Sequence, residues 1–362
     1  MSSSIGKNYT VDVFGESHSA AIGVVIGGVP AGTEIDRGRI NAFLERRRPS
    51  AGVHSTARRE TDEIEILSGV LDGRATGAPL AAIIRNADTR SSDYGLLKSV
   101  MRPSHSDYAA SVKYGGYNDY RGGGQFSGRL TAPLCIAGSI ALDLLQKRGI
   151  EVTAYLAAIG SVHAPSYKEY GAKVADILTE TKREELRLSA LPFLDASYTK
   201  AAEDEIKAAR SAGDSVGGII ECVVTGLPVG VGEPLYDSLE GVLSKVLFSI
   251  PAVKGVEFGS GFNIAEMRGS VANDRMYFES GAVKTRTNHN GGITGGISNG
   301  MPVTFRVAVK PVPSIAIEQD TVDIAAKKDT KLAIGGRHDA CIAPRAVPVI
   351  EAAAACVLYD LM

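Results

Sequence analysis

Forty-one of the 362 residues are glycine, and the densest glycine runs hold arginine and histidine. Glycine weakens helix and strand interiors and tolerates backbone conformations that other residues avoid, so these runs must form loops between the regular elements. The clearest are Arg121-Gly122-Gly123-Gly124 leading to Arg129, Asn290-Gly291-Gly292-Ile293-Thr294-Gly295-Gly296, and Gly336-Arg337-His338-Asp339. Two proline-bearing segments, Arg46-Arg47-Arg48-Pro49 and Arg102-Pro103-Ser104-His105, have the same character. Arginine keeps its charge and forks onto oxyanions, whereas histidine exchanges a proton near neutral pH. A chain that gathers both in its loops points to a polyanionic substrate.

The net charge is only −2. A cationic site must therefore be local, which disfavours a nucleic-acid binder with a broad basic face. With 44% hydrophobic and 22% charged residues the chain reads as globular. Its length accommodates one large domain or two of ordinary size. No run of apolar residues approaches bilayer length, and Met1-Ser2-Ser3-Ser4 lacks the basic and apolar regions of a signal peptide. A cytoplasmic location without a membrane partner is expected. Cys135, Cys222, Cys341 and Cys356 lie far apart without a C-x-x-C pair and read as buried free thiols. The six histidines lack compact ligand spacing, so no metal site is expected.

Strand character marks Ala21 to Gly28, Glu63 to Ser68, Leu80 to Arg85, Glu151 to Ile159, Gly217 to Val224 and Pro302 to Val309. Helices are expected at Asp36 to Arg47, Leu130 to Lys147, Glu203 to Ala212, Leu235 to Ser249 and Val347 to Leu361. Asp36 can cap the first of these, which delivers three arginines at its C-terminal end. The charged stretch Lys182 to Ala212 reads as a solvated surface element. Gly28-Val29-Pro30-Ala31-Gly32 after one apolar strand is echoed 198 residues later by Gly226-Leu227-Pro228-Val229-Gly230 after another. Each precedes an amphipathic helix, which suggests two related halves; the alternative is coincidence, because G-x-P-x-G is a common turn composition.

The chain lacks G-x-G-x-x-G after a strand, G-x-x-x-x-G-K-[ST] and H-E-x-x-H, which removes the common nucleotide folds and zincin chemistry. Gly15-Glu16-Ser17-His18-Ser19 imitates the G-x-S-x-G elbow of serine hydrolases, with serine in place of the last glycine. Hydrolase is the runner-up reading. His18, between two serines, is placed to transfer a proton. His105 follows Arg102 by three residues, so an anion on Arg102 would lie near an acid. Local hydrogen bonding is the alternative role for either histidine. Arg337 and Asp339 share a side if their segment is extended.

Taken together these segments resemble the chorismate synthase family. The matching stretches are Phe14-Gly15-Glu16-Ser17-His18, Arg46-Arg47-Arg48-Pro49, Arg102-Pro103-Ser104-His105-Ser106-Asp107-Tyr108, Tyr114-Gly115, Asp119-Tyr120-Arg121-Gly122-Gly123-Gly124, Ala252-Val253-Lys254-Gly255-Val256-Glu257, Asn288-His289-Asn290-Gly291-Gly292-Ile293, Lys310-Pro311-Val312-Pro313-Ser314 and Gly336-Arg337-His338-Asp339. They run in the family's order over nearly the whole chain. The resemblance implies a single α+β domain over residues 1–362, with helices sandwiched between antiparallel sheets, assembled as a homotetramer. It implies a lyase that makes chorismate from 5-enolpyruvylshikimate 3-phosphate by a 1,4-trans elimination of phosphate requiring reduced FMN. It gives proton-transfer roles to His18, at the flavin, and His105, at the departing phosphate, with Asp339 tuning flavin N5. It places Arg47, Arg102, Arg129 and Arg337 around the substrate. It places Ser127, Ala252, Gly295, Lys310, Pro311, Val312, Pro313, Ser314 and Arg337 against FMN.

Two departures from the family pattern stand out. Gln125-Phe126-Ser127-Gly128-Arg129-Leu130-Thr131 replaces the family's R-S-S-A-R-E-T, losing one arginine and the glutamate. Val53 stands six residues after Arg47, where an arginine is associated with NADPH, so reduced flavin is expected from an external reductase. Pro251 replaces an asparagine of some members.

Overall fold

The structure is a computed structural model that describes residues 3–48, 62–86, 95–335 and 339–362. The first half begins with β1 (Ser4–Ile5), β2 (Val11–Gly15), β3 (Ala21–Ile26) and α1 (Arg37–Arg47). It continues through β4 (Ile64–Ser68), a small ladder of β5 (Val70–Leu71) and β6 (Arg74–Ala75), β7 (Leu80–Arg85), α2 (Asp107–Lys113) and α3 (Thr131–Gln146). The second half opens with β8 (Glu151–Ile159) and β9 (Val162–His163), then α4 (Tyr167–Tyr170), α5 (Val174–Ile177), α6 (Glu180–Leu188) and α7 (Thr199–Ser211). Next come β10 (Gly218–Thr225), α8 (Leu239–Ser249), β11 (Val253–Phe258), α9 (Gly269–Ala272) and two hairpins, β12 (Met276–Glu279) with β13 (Ala282–Thr285) and β14 (Ile293–Thr294) with β15 (Ile297–Ser298). The chain closes with β16 (Val303–Val309), β17 (Gln319–Asp323), β18 (Lys328–Leu332) and α10 (Ala343–Asp360).

Each half contributes one antiparallel sheet, ordered β1-β2-β3-β7-β4 in the first and β11-β16-β10-β8-β9 in the second. α3 and α10 lie between them: α3 packs on β2, β3 and β7, α10 packs on β8 and β10, and α3 packs against α10. Strand alternation explains the layering. Ile22, Val24 and Ile26 face inward in the first sheet and Ile220, Cys222 and Val224 in the second, all joining one core. By mean hydropathy the stretch Gly128–Gln146 does reach membrane-spanning length, correcting the sequence expectation. It forms the sandwich's central layer, with 78% of its apolar window buried.

The duplication is written in the topology. In the first half the order β2-β3-β7-β4 has α1 between β3 and β4 and α3 after β7. In the second, β8-β10-β16-β11 has α8 between β10 and β11 and α10 after β16. The echoed turns are built alike: Gly28 and Gly226 have φ of +80° and +76°, and a Cβ on either would lie 1.8 or 2.1 Å from a backbone carbonyl oxygen, of Asn8 or Gly149.

Local signals set several element ends. Asp36 accepts from the backbone N–H of Gly38 and Arg39 at 2.8 and 3.1 Å and starts α1. α10 starts at Ala343, four residues before the sequence expectation, because Pro344 falls in its first turn where no N–H is needed. α8 starts at Leu239 rather than Leu235, capped by Ser238 onto Gly241 N–H. α6 and α7 carry exposed ion pairs, such as Lys200 with Asp204, on the charged stretch, and bury Leu186, Ala202 and Ile206.

Candidate active site

The loops after β7 and β16 lead to the N-termini of α3 and α10, and α1 ends close by, so the fold brings arginine-rich segments from both halves together. Gly122 and Gly123 form the centre. Their φ values of +57° and +88° belong to the left-handed region that glycine adopts freely. A Cβ on Gly122 would lie 2.3 Å from His18 Cε1, and one on Gly123 would lie 3.4 and 3.5 Å from His105 Cε1 and Nε2. The two histidines therefore pack on consecutive glycines. Ser17 N–H donates to the Gly124 carbonyl at 3.2 Å, which fixes the His18 turn to the same loop.

His18 is buried, with Nδ1 3.0 Å from Ser17 Oγ. The segment Gly15 to Ser19 joins antiparallel neighbours β2 and β3, not a strand and a helix, which removes the hydrolase elbow. Behind it, Asn86 donates to the carbonyls of Glu16 and Ser19 at 3.0 and 2.8 Å and accepts from Arg129 Nε at 3.3 Å. Glu16 also faces Asp119 and Arg121. Its carboxyl is pushed up by burial and by the Asp119 charge, against the pull of Arg121.

Arg47 and Arg129 meet on Asp62, a residue the sequence reading did not single out. Arg47 Nη2 is 2.7 Å from Asp62 Oδ2, and Arg129 Nη1 bonds Oδ1, with side chains 4%, 8% and 0% exposed. Burial alone would push the Asp62 carboxyl up, but the two guanidiniums outweigh it and hold it below its ordinary value. Of the Arg46-Arg47-Arg48 run, Arg46 turns away to Glu351 on α10, and Arg48 donates to the Asp62 carbonyl at 3.2 Å. Asp339 pairs with Arg345, whose Nε donates to the Arg47 carbonyl at 2.8 Å. Asp339 is thus tied to the end of α1.

Arg102 is buried and forks onto Asp107, with Nε to Oδ2 at 2.7 Å and Nη2 to Oδ1 at 2.8 Å. Its Nη1 lies 3.4 Å from Ser314 Oγ. Lys310 Nζ donates to the Ser104 carbonyl, and Lys310 N–H donates to the carbonyl of Ala252 at 2.9 Å. Burial and the neighbouring Lys254 push the Lys310 ammonium down. Pro311, Val312 and Pro313 continue this edge, with Ser215 Oγ donating to the Val312 carbonyl at 2.7 Å. Ser127 lies beside Gly123 and accepts from the Arg129 N–H at 3.3 Å. Phe126, at the departure from the family pattern, packs its ring 6.5 Å from that of Tyr114. A cavity of about 390 Å³ opens on the side of Asp107 lined by Lys98, Ser111, Asn118 and Tyr120.

His18, His105 and Ser127 therefore lie against one glycine loop, and contacts through Asp62, Asp107, Ser104 and Arg345 link Arg47, Arg102, Arg129, Asp339, Lys310 and Ser314 to it. Gly295 does not join them. Gly296, beside it, meets Glu233 and Ser238 at the start of α8, whereas Ala252 follows the end of that helix, about 15 Å away at 1.5 Å per residue. Pro49, Val53, His54, Gly336, Arg337 and His338 lie outside the described residues.

Comparison with known proteins identifies the family. The family model described as chorismate synthase matches residues 9–362. A chorismate synthase of Dehalococcoides mccartyi is 47% identical over 363 residues, covering 100% of this chain and 96% of that protein. One of Thermococcus kodakarensis is 46% identical, covering 98% of this chain and 96% of that protein. A solved structure titled as a crystal structure of chorismate synthase superposes with a TM-score of 0.77 at 26% identity, covering 99% of this chain and 92% of that one.

Proposed function

The chain belongs to the chorismate synthase family, and from that membership and the site's geometry we propose how its residues perform the family's reaction. The protein is a carbon–oxygen lyase that converts 5-enolpyruvylshikimate 3-phosphate to chorismate and phosphate, the last common step of the shikimate pathway. The observation that supports our residue assignment best is the packing of His18 and His105 on consecutive glycines, with buried arginines on both flanks.

Arg102 and the Arg47–Asp62–Arg129 cluster bind the phosphate and carboxylates of the substrate, as forked donors do best in a site shielded from water. Arg337 adds to this set. His105 delivers a proton to the departing phosphate, and His18 holds one on the cofactor side of the glycine loop. Asp339, held by Arg345 at the end of α1, is the group we assign to accept a proton.

Lys310, desolvated beside Lys254, with Ser314, Ser127, Ala252 and the Pro311 to Pro313 edge, suits reduced FMN, whose phosphate and reduced ring are anionic. When bound it supplies electron density to the allylic system as the C–O bond breaks. Gly295 lies near the far end of α8 from this group, and in our reading a second copy of the chain supplies it. A homotetramer accounts for that, and the exposed Met276 and Phe278 of β12, beside Val283 of β13, offer an apolar face for assembly. Because both halves build one site, we read 1–362 as one domain. Reduced flavin comes from an external reductase in the cytoplasm, a reducing compartment that suits four buried free thiols.

Anaerobic incubation with photoreduced FMN and the substrate tests the reading: chorismate should appear together with phosphate. His105→Ala should slow turnover by about two to four orders of magnitude. Near-normal turnover removes His105 from the role of proton donor.

A further inference from the structure

The carboxylate of Asp107 lies in the first turn of α2 and serves both groups that meet the leaving phosphate. Oδ1 is 2.6 Å from His105 Nδ1 and also accepts from Arg102 Nη2, while Oδ2 accepts from Arg102 Nε and, at 3.2 Å, from the Arg102 backbone N–H. The side chain is 6% exposed, so these bonds are largely shielded from bulk water. Burial by itself would raise the Asp107 carboxyl; its bonds to Arg102 and His105 prevail and hold it well below the usual carboxylate range. An ionised carboxylate can only accept, so His105 Nδ1 carries the hydrogen. That leaves Nε2 on the side of Gly123, at the centre of the site.

Resting on the reading of His105 as proton donor, we propose that Asp107 is the positioning residue of the leaving-group half of the site, fixing His105 as the Nδ1–H form with Nε2 aimed at the phosphate held by Arg102. In the step it supports, the substrate C–O bond breaks, its electron pair stays on the phosphate oxygen, and that oxygen takes the proton from Nε2 of the imidazolium. The neutral imidazole that remains keeps its hydrogen on Nδ1, facing Asp107, so the ring need not rotate or exchange tautomer. A carboxylate that held only Arg102 would affect substrate binding; one that also orients the acid affects turnover.

The test is a double-mutant cycle in the full-length protein, with reduced FMN under anaerobic conditions. Asp107→Asn should lower kcat about tenfold to a hundredfold, bounded by the contribution of the acid itself, and change KM by less than about threefold. In the His105→Ala background the same substitution should lower kcat by less than about twofold. Full cost persisting in that background, or a single variant that turns over normally while His105→Ala is slow, overturns the proposal. Normal turnover of His105→Ala itself overturns the underlying reading instead. A second measurement needs no variant: nitrogen-15 spectra of ring-labelled histidine in the wild-type protein without flavin should show neutral His105 protonated at Nδ1, and protonation at Nε2 refutes the proposal.

Discussion

The two halves share a sheet topology but differ in what covers the outer face of each sheet. One row of cross-strand neighbours shows it. In the first half the row is Phe14, Gly23, Ile83 and Glu65; the equivalent row in the second half is Tyr155, Glu221, Arg306 and Glu257. In the first, Phe14 is 45% exposed and its ring lies over Gly23, while Ile83 and Glu65 are half-buried. The second lies under Tyr167, Val174, Leu178 and Leu186 of the α4 to α6 excursion, and Glu221 is 0% exposed. That excursion occupies the connection between β8 and β10, where the first half has only the short turn that presents His18. One scaffold thus spends the same connection on chemistry in one half and on burial in the other.

The sharpest break of this comparison is at Asp62, which belongs to the chemical half and holds two buried guanidiniums. Asp62→Ala should cost about 3–5 kcal/mol of stability, because Arg47 and Arg129 lose their shared counter-charge in a dry site. The second half's contribution, Asp339 with Arg345, is more exposed, so Asp339→Asn should cost less. Denaturant unfolding of the two variants measures the ranking, and equal costs would show that the halves hold their charges alike.

Glu221 tests the covered half. Burial pushes its carboxyl up to about 7, against the opposing pull of the Tyr167 N–H, the hydroxyls of Tyr155 and Ser166, and Arg306. Its Oε1 finds no partner among the described residues. The folded state holds this proton more tightly than the unfolded chain, so the associated stability is complete below the unfolded value near 4.5 and is lost as pH rises to about 7. The loss amounts to about 3 kcal/mol. Glu221→Gln should flatten the melting temperature over that range and leave the variant the more stable at pH 8. An unchanged slope would mean that the covered row does not titrate. The first half, with glycine at the equivalent place, has no such dependence to lose.

Next in size is Gly122→Ala. The added methyl would meet the His18 ring at 2.3 Å in a backbone conformation that alanine resists. If His18 carries a proton as we propose, displacing it by about 1 Å should lower kcat/KM about a hundredfold. Stability should change far less, and a variant that loses stability while keeping activity would place the loop in the scaffold, not the site.

What could be read from the chain follows the same division. The strand, turn and helix of each half were legible because apolar strands end in G-x-P-x-G, and the glycine loops stood out because arginine and histidine are concentrated there. Asp62 was not legible: it sits among Glu60, Thr61 and Glu63 with nothing in the spacing to mark it, and only the folded chain brings it under Arg47 and Arg129. Asp107 lay in view, two residues from His105, but its bridging role depends on the turn into α2. The four-residue helices α4 and α5 are too short to show a period, so the cover over Glu221 was invisible as well.

The duplication itself admits the finest test. Gly28 and Gly226 are 198 residues apart, share a φ near +80°, and each leaves no room for a Cβ against a carbonyl contributed by the preceding connection. If the two turns are copies of one structural solution, Gly28→Ala and Gly226→Ala should destabilise by similar amounts, about 2 kcal/mol each, since both add left-handed strain and the same clash. The turns follow strands of different sheets and meet different carbonyls, so the double variant should show about the sum. Unfolding free-energy losses that differ by more than about 1 kcal/mol would mean that one half has come to depend on its turn in a way the other has not. The α4 to α7 insertion, present beside only the second turn, is the place to look for the cause.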